Sequence, residues 1–386
     1  MSITLVKNIG RILSGNIEEP VLEGSCIVIK DGKIDKIGGE DICAGIEADQ
    51  VIDAAGASVM PGLIDSHAHV TVGDYGHRQK THDFIGSAMH GGVTTMISAG
   101  ECHYPGRPKD PSGVKALAIL AHKSFKNAPP SGVKVHAGSL ILEKGLVEKD
   151  FEELAAEGVW TVGEVGLGSV KDPAEAAPMV AWAHKNGFKV MMHTGGTSIP
   201  GSSTVTAEMV IETEPDVVSH INGGPTAISL EEVDKIMDNT EFALEIVQCG
   251  NFKVADYVTK RAKEKGMLGR IIFGNDSPSG SGIMALGILR NIAYAACMSG
   301  VTGAEAVCMG SGNTARVYEL NTSCIAPGKE ADLVFLDAPM GSIADTAEEA
   351  FECGDLPGIS IIMIDGVVKA AKSRNTPPAK RQAKVV

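Results

Sequence analysis

The sequence predicts an α/β protein: a (β/α)8 TIM barrel carrying a small β-sandwich domain built from both chain termini. Three observations predict it. Between residues 61 and 319, short apolar runs alternate with helix-like stretches eight times over, the pattern of parallel strands buried on both faces. Residues 1–60 and 320–386 are instead β-rich and punctuated by Asp-Gly turns, which suggests one composite domain. The rival, an open doubly wound sheet, would want a phosphate-type glycine fingerprint after its first strand, and none is there.

At the N-terminus, "ITLVKN", "GSCIVIKDGKIDKIGG" and "QVIDAAGASVMPG" read as short strands, with "KDGKI" as a hairpin turn. The barrel strands follow as "SVMPGLIDSH", "VTTMIS", "VKVHAGSL", "VWTVGEVG", "FKVMMHT", "DVVSHI", "EFALEIV" and "RIIFGND". Stretches such as "GVKALAILAHKSFKNA", "PAEAAPMVAWAHKNG" and "NFKVADYVTKRAKEKG" supply helices between them. "GKEADLVFLDA" and "GISIIMIDGVVKAA" return to strand, the latter with a second Asp-Gly turn. The basic tail "KAAKSRNTPPAKRQAKVV" reads as solvated or as a strap on a neighbouring subunit.

Composition narrows the classes of function. A formal net charge of −14 argues against a nucleic-acid backbone as partner. No apolar stretch reaches the 18 or so residues of a membrane span, and the start lacks a secretory apolar region. The 8 cysteines are scattered, with no CxxC, as expected of free thiols in a reducing cytoplasm.

The chemistry gathers at strand ends. "PGLIDSHAHV" places His67 and His69 two apart, so they project to one face where the first strand runs out. Taken alone, that pair fits a satisfied core histidine plus a surface one equally well. Strand four adds Glu164, strand five His193, strand six His220 and strand eight Asp276, all at C-terminal ends, where such barrels keep their catalytic groups. Six of six in residue types that bind borderline divalent cations point to shared metal. His77, His82, His90, His122 and His184 fall in expected loops or helices and read as surface groups. His136 on strand three and His103 after strand two could face the mouth.

"PGLIDSHAHV", the single histidines closing strands five and six, "GND" at strand eight and "GKEADLVFLD" in the split β domain together resemble the amidohydrolase superfamily. The likeness is to the branch that includes dihydroorotase, hydantoinase and isoaspartyl dipeptidase, and it covers essentially the whole chain. It implies a two-metal site, with His67, His69 and Asp276 on a deeper ion and His193 and His220 on an outer one. Many relatives bridge the ions with a carboxylated lysine from strand four; here that strand has no lysine and Glu164 takes the place. Lys134 is at the wrong end of its strand to serve. The resemblance implies zinc, with iron possible at one position, whereas ligand types alone leave Zn, Fe, Mn and Co open.

The same resemblance implies hydrolysis of a cyclic amide bearing a carboxylate. Two cations sharing a water would lower its pKa from about 15.7 towards 7, with Asp276 as the group that moves the proton. Loop residues His103, Tyr104, Arg107, Thr194, Thr197, Ser198 and Asn222, together with His136 of strand three, are the candidate substrate contacts. The alternatives on this site are a hydantoinase or dihydropyrimidinase, an isoaspartyl dipeptidase, or a deaminase. A non-catalytic scaffold on the same fold would have lost ligands that this chain retains. A homo-oligomer, with a tetramer favoured, completes the expectation.

Overall fold

The computed structural model describes residues 2–73, 81–197, 203–224, 226–278 and 282–386. Eight parallel barrel strands follow in chain order: Leu63–Ala68, Val93–Ser98, Lys134–His136, Thr161–Val165, Lys189–His193, Val217–Ser219, Ala243–Val247 and Ile271–Gly274. They form a three-stranded and a five-stranded sheet, joined on one side by a parallel bridge between Leu140 and Val162 and on the other by one between Ala68 and Ser277. A helix follows each strand, from Thr81–Met89 to Gly287–Ser299. Three of these helices start where the sequence signals it. Asp110 and Asp172 accept from Gly113 N and Ala174 N, each just before a proline, and Asn251 accepts from Lys253 N and Val254 N.

Two apolar layers result. Residues such as Leu63, Val93, Val162, Val190, Val218, Leu244 and Phe273 pack outward against the helices. Ile64, Ile97, Met191, Val217, Ala243 and Ile272 fill the barrel floor, where the buried ring of Tyr318 joins them. Asp65 closes the ring between the first and last strands: its carboxylate accepts from Asn275 N (2.9 Å) and Asn275 Nδ2 (2.7 Å).

The chain ends build two further sheets. One runs in the order Lys384–Val385, Gln50–Asp53, Ile3–Lys7, Cys26–Lys30, Lys33–Gly38. The other runs Val367–Ala370, Gly358–Ile364, Leu333–Asp337, Ser58–Pro61, Arg11–Leu13, Val21–Leu22. Ile27, Ile29 and Ile52 of the first share a core with Ile12, Val59, Phe335 and Ile361 of the second. Both Asp-Gly turns, at Asp31-Gly32 and Asp365-Gly366, sit between antiparallel neighbours as expected.

Two expectations need correction. "SVMPGLIDSH" is two strands: Ser58–Pro61 pairs with Leu333–Asp337 in the β domain, and only Leu63–Ala68 enters the barrel. The switch falls at Gly62, where a Cβ would lie 2.1 Å from Thr94 Oγ1. The basic tail is not a loose solvated segment. It straps this chain: Ser373 Oγ donates to His90 O, Lys384–Val385 pairs with Ile52 and Asp53, and Arg381 grips Asp337 through Nε and Nη2 at 2.7 Å each. Asp337 is fully buried because that guanidinium satisfies both its oxygens.

Arg381→Ala should therefore destabilise the protein by about 2–3 kcal/mol, since it strands a buried carboxylate. Lys384→Ala, on the exposed end of the same strap, should cost no more than about 0.5 kcal/mol. Denaturant unfolding of both variants checks this; equal effects would mean that the ion pair is not what holds the tail.

Candidate metal centre

The barrel mouth brings all six candidate ligands together around one carboxylate. Glu164 Oε1 lies 2.9 Å from His193 Nδ1 and 2.7 Å from His220 Nε2. Its other oxygen, Oε2, lies 3.4 Å from His67 Nε2 and 3.9 Å from His69 Nε2. Asp276 Oδ1 closes that second group at 2.9 Å from His69 Nε2 and 3.7 Å from His67 Nε2. The donors thus fall into two sets, one on each oxygen of Glu164.

Local irregularity makes this possible. Val162 and Val165 both pack in the outer layer although three residues apart, which strict alternation forbids; the pairing register shifts between them and turns Glu164 inward. The first strand shifts register between Asp65 and Ala68, just before His69. His220 would face outward like Val218, but its φ of +37° re-aims it. Asp276 has φ +54° and is tied by its amide to His67 O at 2.9 Å. Gly274 leaves room beside them, since a Cβ there would lie 2.6 Å from the Cβ of His67.

The donor set fits a divalent cation. His67 Nε2 is buried and has no hydrogen-bond partner among the described residues, yet it points between two carboxylate oxygens. Burial alone would depress the pKa of His67; Glu245 and Glu164 outweigh it and raise it well above the ordinary value. His69 is likewise lifted to about 10, against burial, by Cys102 and Asp276. Glu164 and Asp276 are held low, against burial, by the surrounding imidazoles. Such a centre holds protons between nitrogen and oxygen where a cation would displace them. His67, His69 and Glu164 form one group able to hold an ion, and Glu164, His193 and His220 another. A third group, His69, Cys102 and His103, shares His69: Cys102 Sγ lies 3.2 Å from His69 Nδ1.

The candidate substrate contacts divide differently. His103 is exposed and sets its ring edge-on to His69, with centroids 4.7 Å apart. Arg107 is turned aside to Glu143 (2.7 Å), and Tyr104 packs half-buried against the outer core. The Thr194 hydroxyl donates to Ser219 O and lies within reach of His220 O, so it holds the strained turn at His220. Asn222 spends its amide on the backbone of Val247. Thr197 is exposed beside Thr204. His136 is not brought to the cluster: it packs on Trp160 (centroids 5.2 Å apart) and lines a cavity of about 380 Å³ with His122 and Lys134. Burial and Lys134 lower its pKa to about 4. Lys134 itself pairs with Glu330, Asp332 and Asp365. Ser198 and His77 lie outside the described residues.

The sequence reading missed Glu245. It sits fully buried in the seventh barrel strand, with Oε2 2.7 Å from His67 Nδ1 and Oε1 accepting from Ser66 Oγ at 2.5 Å. Its signal was present: a glutamate inside the apolar run "EFALEIV".

Residues 58–369 match the amidohydrolase family. The chain belongs to that family. Along all 386 residues it is 64% identical to the enamidase of Eubacterium barkeri, covering 100% of both chains. A crystal structure of enamidase, described as a member of the amidohydrolase superfamily, superposes with a TM-score of 0.98 over 100% of each chain at 64% identity. The β-aspartyl dipeptidase of Fervidobacterium islandicum shares the fold of this amidohydrolase at 19% identity, with a TM-score of 0.66 over 96% of this chain and 97% of its own.

Proposed function

We propose that this amidohydrolase opens the C–N bond of a cyclic enamide bearing a carboxylate, 6-oxo-1,4,5,6-tetrahydronicotinate to 2-formylglutarate and ammonia. The observation that carries hydrolysis is the split donor set on Glu164. The substrate class rests on the end-to-end likeness to enamidase. The reading includes two divalent ions per chain, zinc with iron possible at one position, and a cytoplasmic homo-oligomer, as a tetramer. When bound, such ions supply an acidified water and a Lewis acid for the amide carbonyl.

The chain's own residues do the rest. His67, His69 and Asp276 would hold the deeper ion and His193 and His220 the outer one, with Glu164 bridging. Asp276 keeps its carboxylate ionised, held low by His69 and the other imidazoles against its burial, so it is ready to accept a proton. It takes one from the attacking water and delivers it to the leaving ring nitrogen. The released enamine tautomerises to an imine, and addition of a second water expels ammonia and leaves the aldehyde. His103, over His69, is the described loop residue best placed to meet the substrate.

A panel of cyclic amides assayed for ammonia release tests the substrate. The carboxylated six-membered enamide should be turned over with ammonia release and β-aspartyl dipeptides poorly. Turnover of hydantoin or dihydrouracil without the enamide reaction would contradict the reading. Asp276→Asn separates ligand from proton carrier. Neighbouring Asn275 and Ser277 are no substitutes, the first lacking a basic site and the second a poor base. The variant should keep most of its metal yet lose at least about a hundredfold in kcat. Near wild-type kcat in a metal-replete sample would reassign the proton transfer.

A further inference from the structure

We infer that Glu245 is a positioning residue of the metal centre: it fixes His67 with Nδ1 protonated and Nε2 free to ligate, and it ties the two ion positions together. The inference rests on the reading of the cluster as a site for divalent metal. Glu245 has no exposed surface, and its only ion pair among the described residues is with His67. Glu245 accepts from Ser66 Oγ and from the His220 amide and lies 2.7 Å from His67 Nδ1, so Nδ1 is the ring nitrogen turned to this acceptor, away from the other donors. Nε2 is then the ring nitrogen turned to the ion position: it is buried, without a hydrogen-bond partner among the described residues, and faces Glu164 and Asp276.

The rest of the carboxylate is equally committed. Oε1 accepts from Ser66 Oγ at 2.5 Å, and Oε2 also accepts from the His220 amide at 3.3 Å. Glu245 therefore touches the ring of a ligand in one donor set and the backbone of a ligand in the other. The His220 contact falls at the residue whose φ of +37° turns its ring inward. A carboxylate behind a metal-ligating histidine sets the tautomer and makes the ligand nitrogen more basic. His69 has the Cys102 sulfur in the corresponding place, 3.2 Å from Nδ1.

The test is zinc uptake by metal-free protein, titrated against a chromophoric chelator, in wild type and Glu245→Gln. Glutamine keeps the shape and an acceptor oxygen but not the charge. The expected result is two ions in wild type and a weakening of about 10–100-fold at one position or both in the variant. Unchanged affinity in a folded variant overturns the inference, whereas wild-type protein that takes up no zinc overturns the metal reading itself. A second measurement needs no variant. In zinc-loaded wild type labelled with ¹⁵N-histidine, His67 should show a metal-bound Nε2 and a protonated Nδ1; a metal-bound Nδ1 would contradict the role assigned to Glu245.

Discussion

Glu164 stands at the centre of a barrel mouth with almost no access to water, one oxygen facing His193 and His220, the other facing His67 and His69. A buried carboxylate is costly unless its charge is met, and here it is met only by groups that arrive from other strands. Strands one, five and six bring imidazole nitrogens to it, and strand eight adds Asp276 beside His69, so the centre exists only while the ring is closed. Asp65 holding Asn275 is part of that closure, two residues from His67 on one side and one residue from Asp276 on the other. The outer apolar layer then keeps the strands at fixed spacing against their helices.

Convergence is paid for in backbone geometry. His220 and Asp276 both sit at positive φ, a conformation that costs a non-glycine residue about 1–3 kcal/mol. Each is held by named bonds. The His220 carbonyl accepts from Gly223 N at 2.5 Å and lies 3.1 Å from Thr194 Oγ1, and Asp276 N donates to His67 O. Thr194 and Asn222 are part of this scaffolding: one braces the turn at His220, the other stitches the loop after strand six to Val247. The more open His103 lies over His69, its ring edge-on.

The six residues that meet at the barrel mouth were legible in the sequence because residue type and strand-end position suffice to find them. The direction of each side chain was not. Strict alternation would turn His220 away from the centre, and only its positive φ and the register shifts in strands one and four bring the set together. Glu245 was hidden for a related reason: an acidic residue within an apolar strand looks like an interruption until its partner on strand one is known. His136 and Arg107 show the other side of the same limit. Both are polar groups near strand ends, but one faces Trp160 and the other is taken by Glu143. The tail was misread because its basic composition resembles a solvated segment, while the buried Asp337 that anchors it lies more than forty residues away in sequence.

That Glu164 serves two cation positions is the claim on which the rest stands. Anomalous scattering from crystals of metal-loaded protein tests it most directly. The account predicts two peaks, one within about 2.0–2.2 Å of Glu164 Oε2 and the ring nitrogens of His67 and His69, the other equally close to Oε1, His193 and His220. A single peak at full occupancy, or two peaks of which Glu164 touches only one, would contradict it.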